Sequence, residues 1–190
     1  MSAEKLFLCH APGSNVLEFH IRAVPGGLVS PHLYRSLKSG DRATVAGPKG
    51  MAYLRKQHDG PIVFCAGGSG LAPIMSMIRW LSCERVARTA RLFFGVRSDE
   101  DVYLEAETTH LCTELSGRAP QILLSNASAE TARRKGFLAE AIRQELRSCE
   151  GMKAYLCGPP IMIETCRAAL LELGLKRQDS HADVFWTTTT

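Results

Sequence analysis

The sequence contains no two cysteines in the C-x-x-C spacing, although it has seven cysteines in all. A zinc ribbon needs closely spaced cysteine pairs, a disulfide framework usually has an even number of cysteines, and a plant-type iron–sulfur cluster needs the C-x4-C-x2-C run. No such site is predicted, and no metal site is expected. We interpret the thiols as reduced and mostly buried as small hydrophobic side chains. The seven are Cys9, Cys65, Cys83, Cys112, Cys149, Cys157 and Cys166.

Long hydrophobic runs are also missing, and charge of one sign is in small excess. No apolar run approaches the roughly 20 residues of a membrane span, and residues 1–5 lead into only a brief apolar stretch, unlike a signal peptide. The net charge of +4 suits anionic ligands but does not indicate nucleic acid. We therefore expect a cytoplasmic protein with neither a membrane nor a nucleic-acid partner. Its 190 residues suffice for one large domain, or for one domain and a fragment.

The first third of the chain lacks a regular alternation of strand and helix. Residues 16–22 alternate loosely between apolar and polar, and residues 43–46 form a short apolar run, so each segment predicts a strand. Ser30-Pro31 is typical of the start of a short helix. This part is therefore predicted to be β-rich, and it has few residues for a complete barrel.

From Gly60 onward, apolar patterns of buried strands alternate with those of amphipathic helices. This alternation predicts an α/β domain with a doubly wound parallel sheet of five strands, covered on both faces. Numbered along the chain, the expected strand order is 3-2-1-4-5, and ligands of such sheets bind beyond the carboxyl ends of the strands. The predicted strands are 62–66, 90–96, 121–125, 153–157 and 180–185, and the predicted helices are 71–82, 102–115, 137–147 and 161–173.

A glycine-rich turn joins the first of these strands to the first helix. Gly67, Gly68 and Gly70 surround Ser69, and Pro73 stands in the first helical turn, where a residue needs no N–H of its own. Glycine lets a ligand approach the backbone, and the helix start presents free N–H groups to an anion. The turn predicts a diphosphate site, although a simple strand-to-helix connection has the same pattern.

Polar side chains follow two other predicted strands. Arg97 follows the second strand, either beside an adenosine or phosphate or as a solvated loop arginine. Ser125 and Asn126 follow the third strand and suit a ribose, although they equally suit a turn or a helix cap. The basic run 133–135 is either a solvated loop or a site for an additional phosphate.

Cys157 ends the fourth predicted strand, directly before Gly158 and Pro159. Its sulfur is expected to point into the crevice, where a small polarisable thiol can lie beside a flat ring. Phe185 and Trp186 follow the last strand, and this aromatic pair is expected to cover such a ring or to pack in the core.

Residues 67–73, 94–103 and 155–162 together resemble the ferredoxin–NADP reductase superfamily. They look most like the reductase components of bacterial aromatic-ring dioxygenases, such as that for naphthalene. Residues 17–27 and 47–55 are similar to the same group. The resemblance implies that residues 1–56 are a partial FAD-binding β-barrel and that residues 57–190 are an NAD(P)-binding α/β domain.

The resemblance also implies roles for individual residues. Cys157 would be the catalytic residue, beside the nicotinamide carbon that gives up hydride, while the cofactors carry the chemistry and the protein aligns their rings. The residues implied to bind the dinucleotide are Gly67, Gly68, Ser69, Gly70, Pro73, Arg97, Ser125, Gly158, Pro159 and Met162. The residues implied to bind or cover the flavin are Gly27, Val29, Ser30, Phe185 and Trp186.

Two features of the family are missing from this sequence: the Arg-x-Tyr-Ser flavin motif and the iron–sulfur domain of the nearest relatives. We therefore expect an N-terminally truncated relative, naturally short or a fragment, that binds FAD weakly or only with a partner chain. Relatives specific for NADPH carry a Ser-Arg pair after the third strand. Here Asn126 follows Ser125, which favours NADH, while Arg97 and the basic run 133–135 leave NADPH open.

The resulting hypothesis is an oxidoreductase of the ferredoxin reductase type. It would pass electrons from NADH or NADPH through FAD to a ferredoxin or Rieske-type iron–sulfur protein of a dioxygenase system. The first alternative is a catalytically incomplete NAD(P)-binding module, or a fragment that needs a partner chain for the flavin. A further alternative is a flavin-linked subunit that feeds another oxidase or synthase.

Overall fold

The fold is taken from a computed structural model of the chain. It describes residues 7–10, 13, 15–24, 26–27, 29–47, 50–86 and 88–185. Trp186, one of the predicted flavin-covering residues, lies outside the described residues.

The N-terminal part contains little regular structure in its described residues. The strands β1 (Phe7–Leu8) and β2 (Phe19–His20) form a two-stranded antiparallel sheet. The predicted helix at Ser30-Pro31 is confirmed as α1 (Ser30–Ser36). The predicted strand over 16–22 is reduced to β2, and no strand forms over 43–46, which are exposed. An apolar pattern alone does not form a strand, because its backbone also needs a neighbouring strand to hydrogen-bond with.

The remainder forms a six-stranded sheet in the order β6-β5-β4-β3-β7-β8, with every pairing parallel. The prediction of five strands was one short, because β6 at the edge has only two residues and no apolar pattern. The strands are β3 (Ile62–Gly67), β4 (Ala90–Val96), β5 (Gln121–Leu124), β6 (Arg134–Lys135), β7 (Lys153–Gly158) and β8 (Ser180–Val184).

Four helices connect the strands close to the predicted positions. Their bounds are α2 (Leu71–Cys83), α3 (Glu105–Ser116), α4 (Leu138–Glu145) and α5 (Pro160–Glu172). α3 begins later than predicted, because residues 99–101 form a separate short 3-10 turn and Leu104 takes a left-handed φ of 52°. At the other end of the domain, Gly174 has a φ of +94° directly after α5, as expected for a helix C-terminus.

Two hydrophobic cores lie on opposite faces of the sheet. Phe64 and Tyr155 belong to the core that contains residues of α2 and α3, whereas Val63 and Leu156 belong to the core that contains residues of α4 and α5. Neighbouring residues of one strand thus enter different cores, as the two-residue repeat of a strand requires. All six residues of β3 are buried because both of its faces are covered.

β3 is the first strand of this sheet in the chain, and it lies in the middle, between β4 and β7. The strand order therefore reverses at its carboxyl end, which is where open parallel sheets form a crevice. In the described part of the chain, no helix is both long enough and apolar enough to cross a membrane.

Candidate functional site

The glycine turn after β3 and the turn after β7 lie against each other at the carboxyl edge of the sheet. A Cβ atom on Gly70 would lie 2.2 Å from the carbonyl oxygen of Cys157 and 2.6 Å from its carbonyl carbon. Real Cβ atoms do not come this close to backbone, so only glycine fits at position 70. The structure therefore brings together the two motifs that the sequence analysis predicted to form one site.

The thioether of Met162, in the first turn of α5, packs against both turns. A Cβ on Gly67 would lie 2.6 Å from Met162 Sδ and 3.0 Å from Pro159 Cδ, and a Cβ on Gly158 would lie 2.5 Å from Met162 Cε. The space that a side chain would fill at each of these glycines is thus occupied by atoms of Met162 or Pro159. The close packing holds the two backbones at one separation across the crevice.

The glycine turn offers the donors that a diphosphate needs. Residues 68–70 form a short 3-10 turn that leads directly into α2, and Gly68 takes a left-handed φ of +53°. No side chain caps the start of α2, and the Leu71 N–H donates to the Gly68 and Ser69 carbonyls of the preceding turn. The partial positive charge of the helix start favours an anion at this position. Ser69 and Pro73 are partly exposed in this turn and helix start.

Arg22 adds a cation beside this turn. Its Nη1 lies 3.9 Å from the position of a Cβ on Gly68, and its Nη2 lies 3.4 Å from Asp101 Oδ1. The sequence analysis missed Arg22, because it belongs to the N-terminal part and no local pattern relates it to a turn 46 positions later. Its guanidinium extends the positive potential of the helix start toward the N-terminal part.

Tyr103 is a second residue that the sequence analysis did not select. Its hydroxyl donates a hydrogen bond to the carbonyl oxygen of Gly68 (3.2 Å) and lies 3.2 Å from His20 Nδ1. The ring packs edge-on against Phe94, and burial raises the pKa of the phenol, so the hydroxyl keeps its proton. Tyr103 thereby connects the glycine turn to β2.

Cys157 occupies the predicted position but not the predicted exposure. It lies near the carboxyl end of β7, opposite Ala66 of β3 and Asp183 of β8, and is 0% exposed. The expectation that its sulfur faces an open crevice is therefore wrong for this conformation. Phe185 belongs to the same core, and its Cε1 lies 3.1 Å from the Cβ position on Gly70. The ring is buried against the glycine turn, and the Phe185 N–H donates to the Gly158 carbonyl of the other turn (3.2 Å).

The predicted flavin residues form a compact turn. The Gly27 N–H donates to the Val24 carbonyl (3.0 Å), and the Val24 N–H donates to Ser30 Oγ (3.1 Å). Ser30 is 3% exposed and begins α1, while Val29 is exposed beside it. A hydroxyl and the backbone N–H groups of a turn are suitable donors for a phosphate group.

The polar residues after β4 and β5 lie next to each other at the same sheet edge. The N–H of Ser125 donates to the Val96 carbonyl (3.0 Å), and that of Asn126 donates to the Arg97 carbonyl (2.8 Å). The side chain of Arg97 is 58% exposed, and its Nε lies 3.5 Å from Asp101 Oδ2. These residues therefore line the carboxyl edge on the β4–β5 side of the glycine turn.

Two family models match the chain. Residues 64–168 match the oxidoreductase NAD-binding domain, and residues 8–53 match the oxidoreductase FAD-binding domain. The first match contains the glycine turn, Tyr103, Ser125 and Cys157, and the second contains the Gly27–Ser30 turn.

Curated relatives and solved structures agree with these matches. The chain is 36% identical over 175 residues to the ferredoxin–NAD(P)+ reductase component of the naphthalene 1,2-dioxygenase/salicylate 5-hydroxylase systems of a Ralstonia species, covering 92% of this chain and 53% of that protein. The corresponding naphthalene 1,2-dioxygenase component of Pseudomonas putida is 35% identical over 179 residues, with the same two coverages. The crystal structure of an Amycolatopsis cytochrome P450 reductase superposes with a TM-score of 0.81 at 29% identity, covering 95% of this chain and 60% of that one. The chain thus spans about half the length of the curated relatives it matches.

Proposed function

We propose a function for this chain from one premise: it belongs to the oxidoreductase NAD-binding domain family, whose model matches more than half of its 190 residues. The chain binds NADH or NADPH at the carboxyl edge of its sheet and accepts hydride from it for a flavin. Single electrons then go to an iron–sulfur protein. The observation that supports this most directly is the contact between Gly70 and the Cys157 carbonyl, which joins a diphosphate turn to a ring-binding turn.

The diphosphate of the dinucleotide is bound at the start of α2. The backbone N–H groups of residues 68–70 and the Ser69 hydroxyl are the proposed donors, and the partial charge of the helix start favours the anion. Arg22, whose guanidinium is paired with Asp101, lies on one side of this turn. Arg97 and Ser125 lie on the other side, toward the adenosine.

Tyr103 holds the Gly68 carbonyl and so fixes the shape of this turn. Replacing Tyr103 with phenylalanine removes one hydrogen bond and is expected to weaken NADH binding by about three- to tenfold. Isothermal titration calorimetry of the full chain measures this change. Tyr34, which is 75% exposed on α1, gives a matched Tyr→Phe control that should leave the affinity unchanged. Equal affinities for the Y103F and Y34F variants would contradict the role of Tyr103.

The nicotinamide is bound beside Cys157, between the two turns. Gly158 and Pro159 shape this pocket, and Met162 forms its base. Because the Phe185 ring is buried against the glycine turn, we infer that it moves when the nicotinamide enters. We propose that Phe185, with Trp186 next to it in the sequence, covers the reacting rings.

The residues that would hold FAD are Gly27, Val29 and Ser30, which lie together before and at the start of α1; the Gly27 N–H and Ser30 Oγ are bonded to Val24 there. A bound flavin supplies the step between two-electron hydride chemistry and one-electron transfer. The chain's own residues bind it, orient it toward Cys157 and keep water from the reacting rings.

We infer that residues 1–56 form part of an FAD-binding β-barrel and residues 57–190 the NAD(P)-binding domain. Of the large hydrophobic residues that are exposed in the described part, nine of twelve lie within residues 16–53, as expected for a surface that packs against further barrel strands. In the second domain, the five longer strands follow the doubly wound order 3-2-1-4-5, and β6 extends one edge.

The electron acceptor is proposed to be a ferredoxin or a Rieske-type iron–sulfur protein, because the two related dioxygenase components are ferredoxin–NAD(P)+ reductases. The test is to add FAD and NADH to the purified chain and to follow flavin absorbance and dye reduction. Flavin-dependent dye reduction by NADH supports the proposal. Binding of NADH without FAD supports the alternative of a dinucleotide-binding module, and binding of neither contradicts both.

Removing the Cys157 thiol should slow hydride transfer, while the chain remains folded. The C157A variant is expected to reduce the dye roughly tenfold more slowly, because a small displacement of the ring misaligns the reacting atoms. Cys112→Ala removes a thiol from the same core far from the crevice and is the matched control. If both variants lose the same fraction of activity, Cys157 has only a packing role.

A further inference from the structure

The proposed function sets the direction in which the dinucleotide lies, and the following inference rests on it. The nicotinamide end points from β3 toward Cys157 on β7, so the adenosine end extends the opposite way, over the ends of β4 and β5. Neighbouring strands are about 5 Å apart, so the end of β5 lies roughly 10 Å from that of β3. The adenosine ribose therefore lies near Ser125 and Asn126.

Arg133, the first residue of the basic run beside this position, already has carboxylate partners. Arg133 donates from Nη1 and Nη2 to the two carboxylate oxygens of Glu105 (2.5 and 2.7 Å) and from Nε to Asp99 Oδ1 (3.0 Å). Thr131 Oγ1 also donates to Asp99 Oδ1 (3.0 Å) and accepts from the Arg133 N–H (3.2 Å). All three nitrogens of the guanidinium are thus directed at carboxylates, in a latch of Asp99, Glu105 and Arg133.

The charges around the latch also balance. Arg97 and Arg22 both face Asp101, with nitrogen–oxygen distances of 3.5 and 3.4 Å. Together with the latch, this makes three guanidinium groups against three carboxylates, so these six groups carry no net charge. The hydrogen bonds from Arg133 lower the pKa of Glu105, which keeps that carboxylate ionised at neutral pH.

A ribose 2′-hydroxyl and a 2′-phosphate respond differently to such an edge. The hydroxyl is neutral and can bond to Ser125 or Asn126, whereas a phosphate monoester carries a charge of about −1.5 to −2 at pH 7. Such a group needs unpaired cations to replace its hydration. Arg134, the next residue of the run, is already bound to Glu145 (3.0 Å) and Gln121 (3.1 Å).

We propose that the latch of Asp99, Glu105 and Arg133 makes this chain select NADH over NADPH, and that Asp99 and Glu105 are its specificity-determining residues. They act by holding the Arg133 guanidinium away from the 2′ position. Neither carboxylate contacts the reacting ring, so they change the choice of dinucleotide and not the hydride step.

The test is calorimetric titration of the full chain with NADH and NADPH, and with 5′-ADP and 2′,5′-ADP as probes of the adenosine end alone. The unmodified chain should bind NADH at least tenfold more tightly than NADPH. The D99N/E105Q double variant releases Arg133 and should bind NADPH and 2′,5′-ADP at least fivefold more tightly, with NADH changed less than twofold. Adding Arg133→Ala to the double variant should abolish this gain.

Glu114→Gln is the matched control, because it removes a carboxylate from the same helix at a site that contacts only the Ser82 hydroxyl among the described hydrogen bonds. It should leave the NADH/NADPH ratio unchanged. Equal binding of both dinucleotides by the unmodified chain overturns this inference but leaves the proposed function intact. A gain in the double variant that survives Arg133→Ala assigns the phosphate to Lys135 and overturns the latch. Binding of neither dinucleotide overturns the proposed function itself.

Discussion

Replacing Gly70 with alanine is expected to destabilise the fold by about 3 kcal/mol and to abolish dinucleotide binding. The backbone of Gly70 has an ordinary helical φ of −63°, so alanine meets no conformational strain there. The whole cost comes from the new methyl group, which would lie 2.2 Å from the Cys157 carbonyl oxygen. To relieve this contact, the β3 and β7 turns must separate, and the crevice loses its shape.

Thermal unfolding followed by circular dichroism measures the loss, which corresponds to roughly 6–12 °C in a domain of this size. Gly117→Ala is the control, because at Gly117 alanine would strain the backbone but the space is free. Gly117 has a left-handed φ of +67°, and nothing lies within 4 Å of its Cβ position. That variant should lose only about 1 kcal/mol, from backbone strain. If the two variants unfold at the same temperature, the close packing of the two turns does not exist in solution.

Replacing Arg79 with leucine is expected to cost about 2 kcal/mol at pH 7, the second largest effect. Arg79 lies on α2, is 16% exposed in its side chain, and joins three parts of the chain. It donates to both carboxylate oxygens of Glu107 on α3 (2.7 and 2.9 Å), to Glu18 (2.9 Å) and to the Cys9 carbonyl (2.9 Å). Leucine leaves these acceptors without their donor, and the partial exposure of the two carboxylates limits the cost.

The pH dependence of this loss identifies its cause. Burial by itself raises the pKa of Glu18, but hydrogen bonds from Arg79 and His20 outweigh it and hold the pKa below the usual value. A carboxyl group with a lowered folded-state pKa stabilises the fold above its unfolded-state pKa of about 4.3, and this stabilisation is lost as the pH falls through the folded value. The difference between the parent chain and the R79L variant in urea unfolding should therefore shrink as the pH falls below about 4.3.

Arg143→Leu is the control for Arg79. Arg143 also makes two hydrogen bonds to one carboxylate, that of Glu172, but its side chain is 43% exposed. Exposed ion pairs contribute little to stability because water screens them, so this variant should be nearly as stable as the parent chain. If Arg143→Leu and Arg79→Leu lose the same stability, the network around Arg79 does not tie the N-terminal part to α2 and α3.

Local patterns were sufficient for the α/β part of the fold. The apolar run that forms β3 is buried along its whole length, as its sequence predicts, because a strand between two helical layers has no polar face. The same patterns did not predict strands correctly where a strand depends on hydrogen bonding to a neighbouring strand. The two residues of β6 have no apolar signal, and residues 43–46 have an apolar signal but no neighbouring strand in the described part.

The residues that sequence reasoning missed are those with distant partners. Tyr103 meets Gly68 across 35 positions, and Arg79 meets Cys9 across 70. Neither side chain belongs to a short motif with an obvious role. Their roles appear only when α2, α3 and β2 have packed together.

The sequence by itself determined which residues end the central strands, and thereby that the glycine turn and the Cys157 turn share one edge. Parallel strands with right-handed crossovers place all their carboxyl ends on one side, so this needed no coordinates. Only the tertiary structure decided how these residues are covered and paired: Cys157 is buried beside Phe185, and Arg133 is held by Asp99 and Glu105. Burial and ion pairing depend on which side chains meet across the fold, and a one-dimensional pattern does not contain that information.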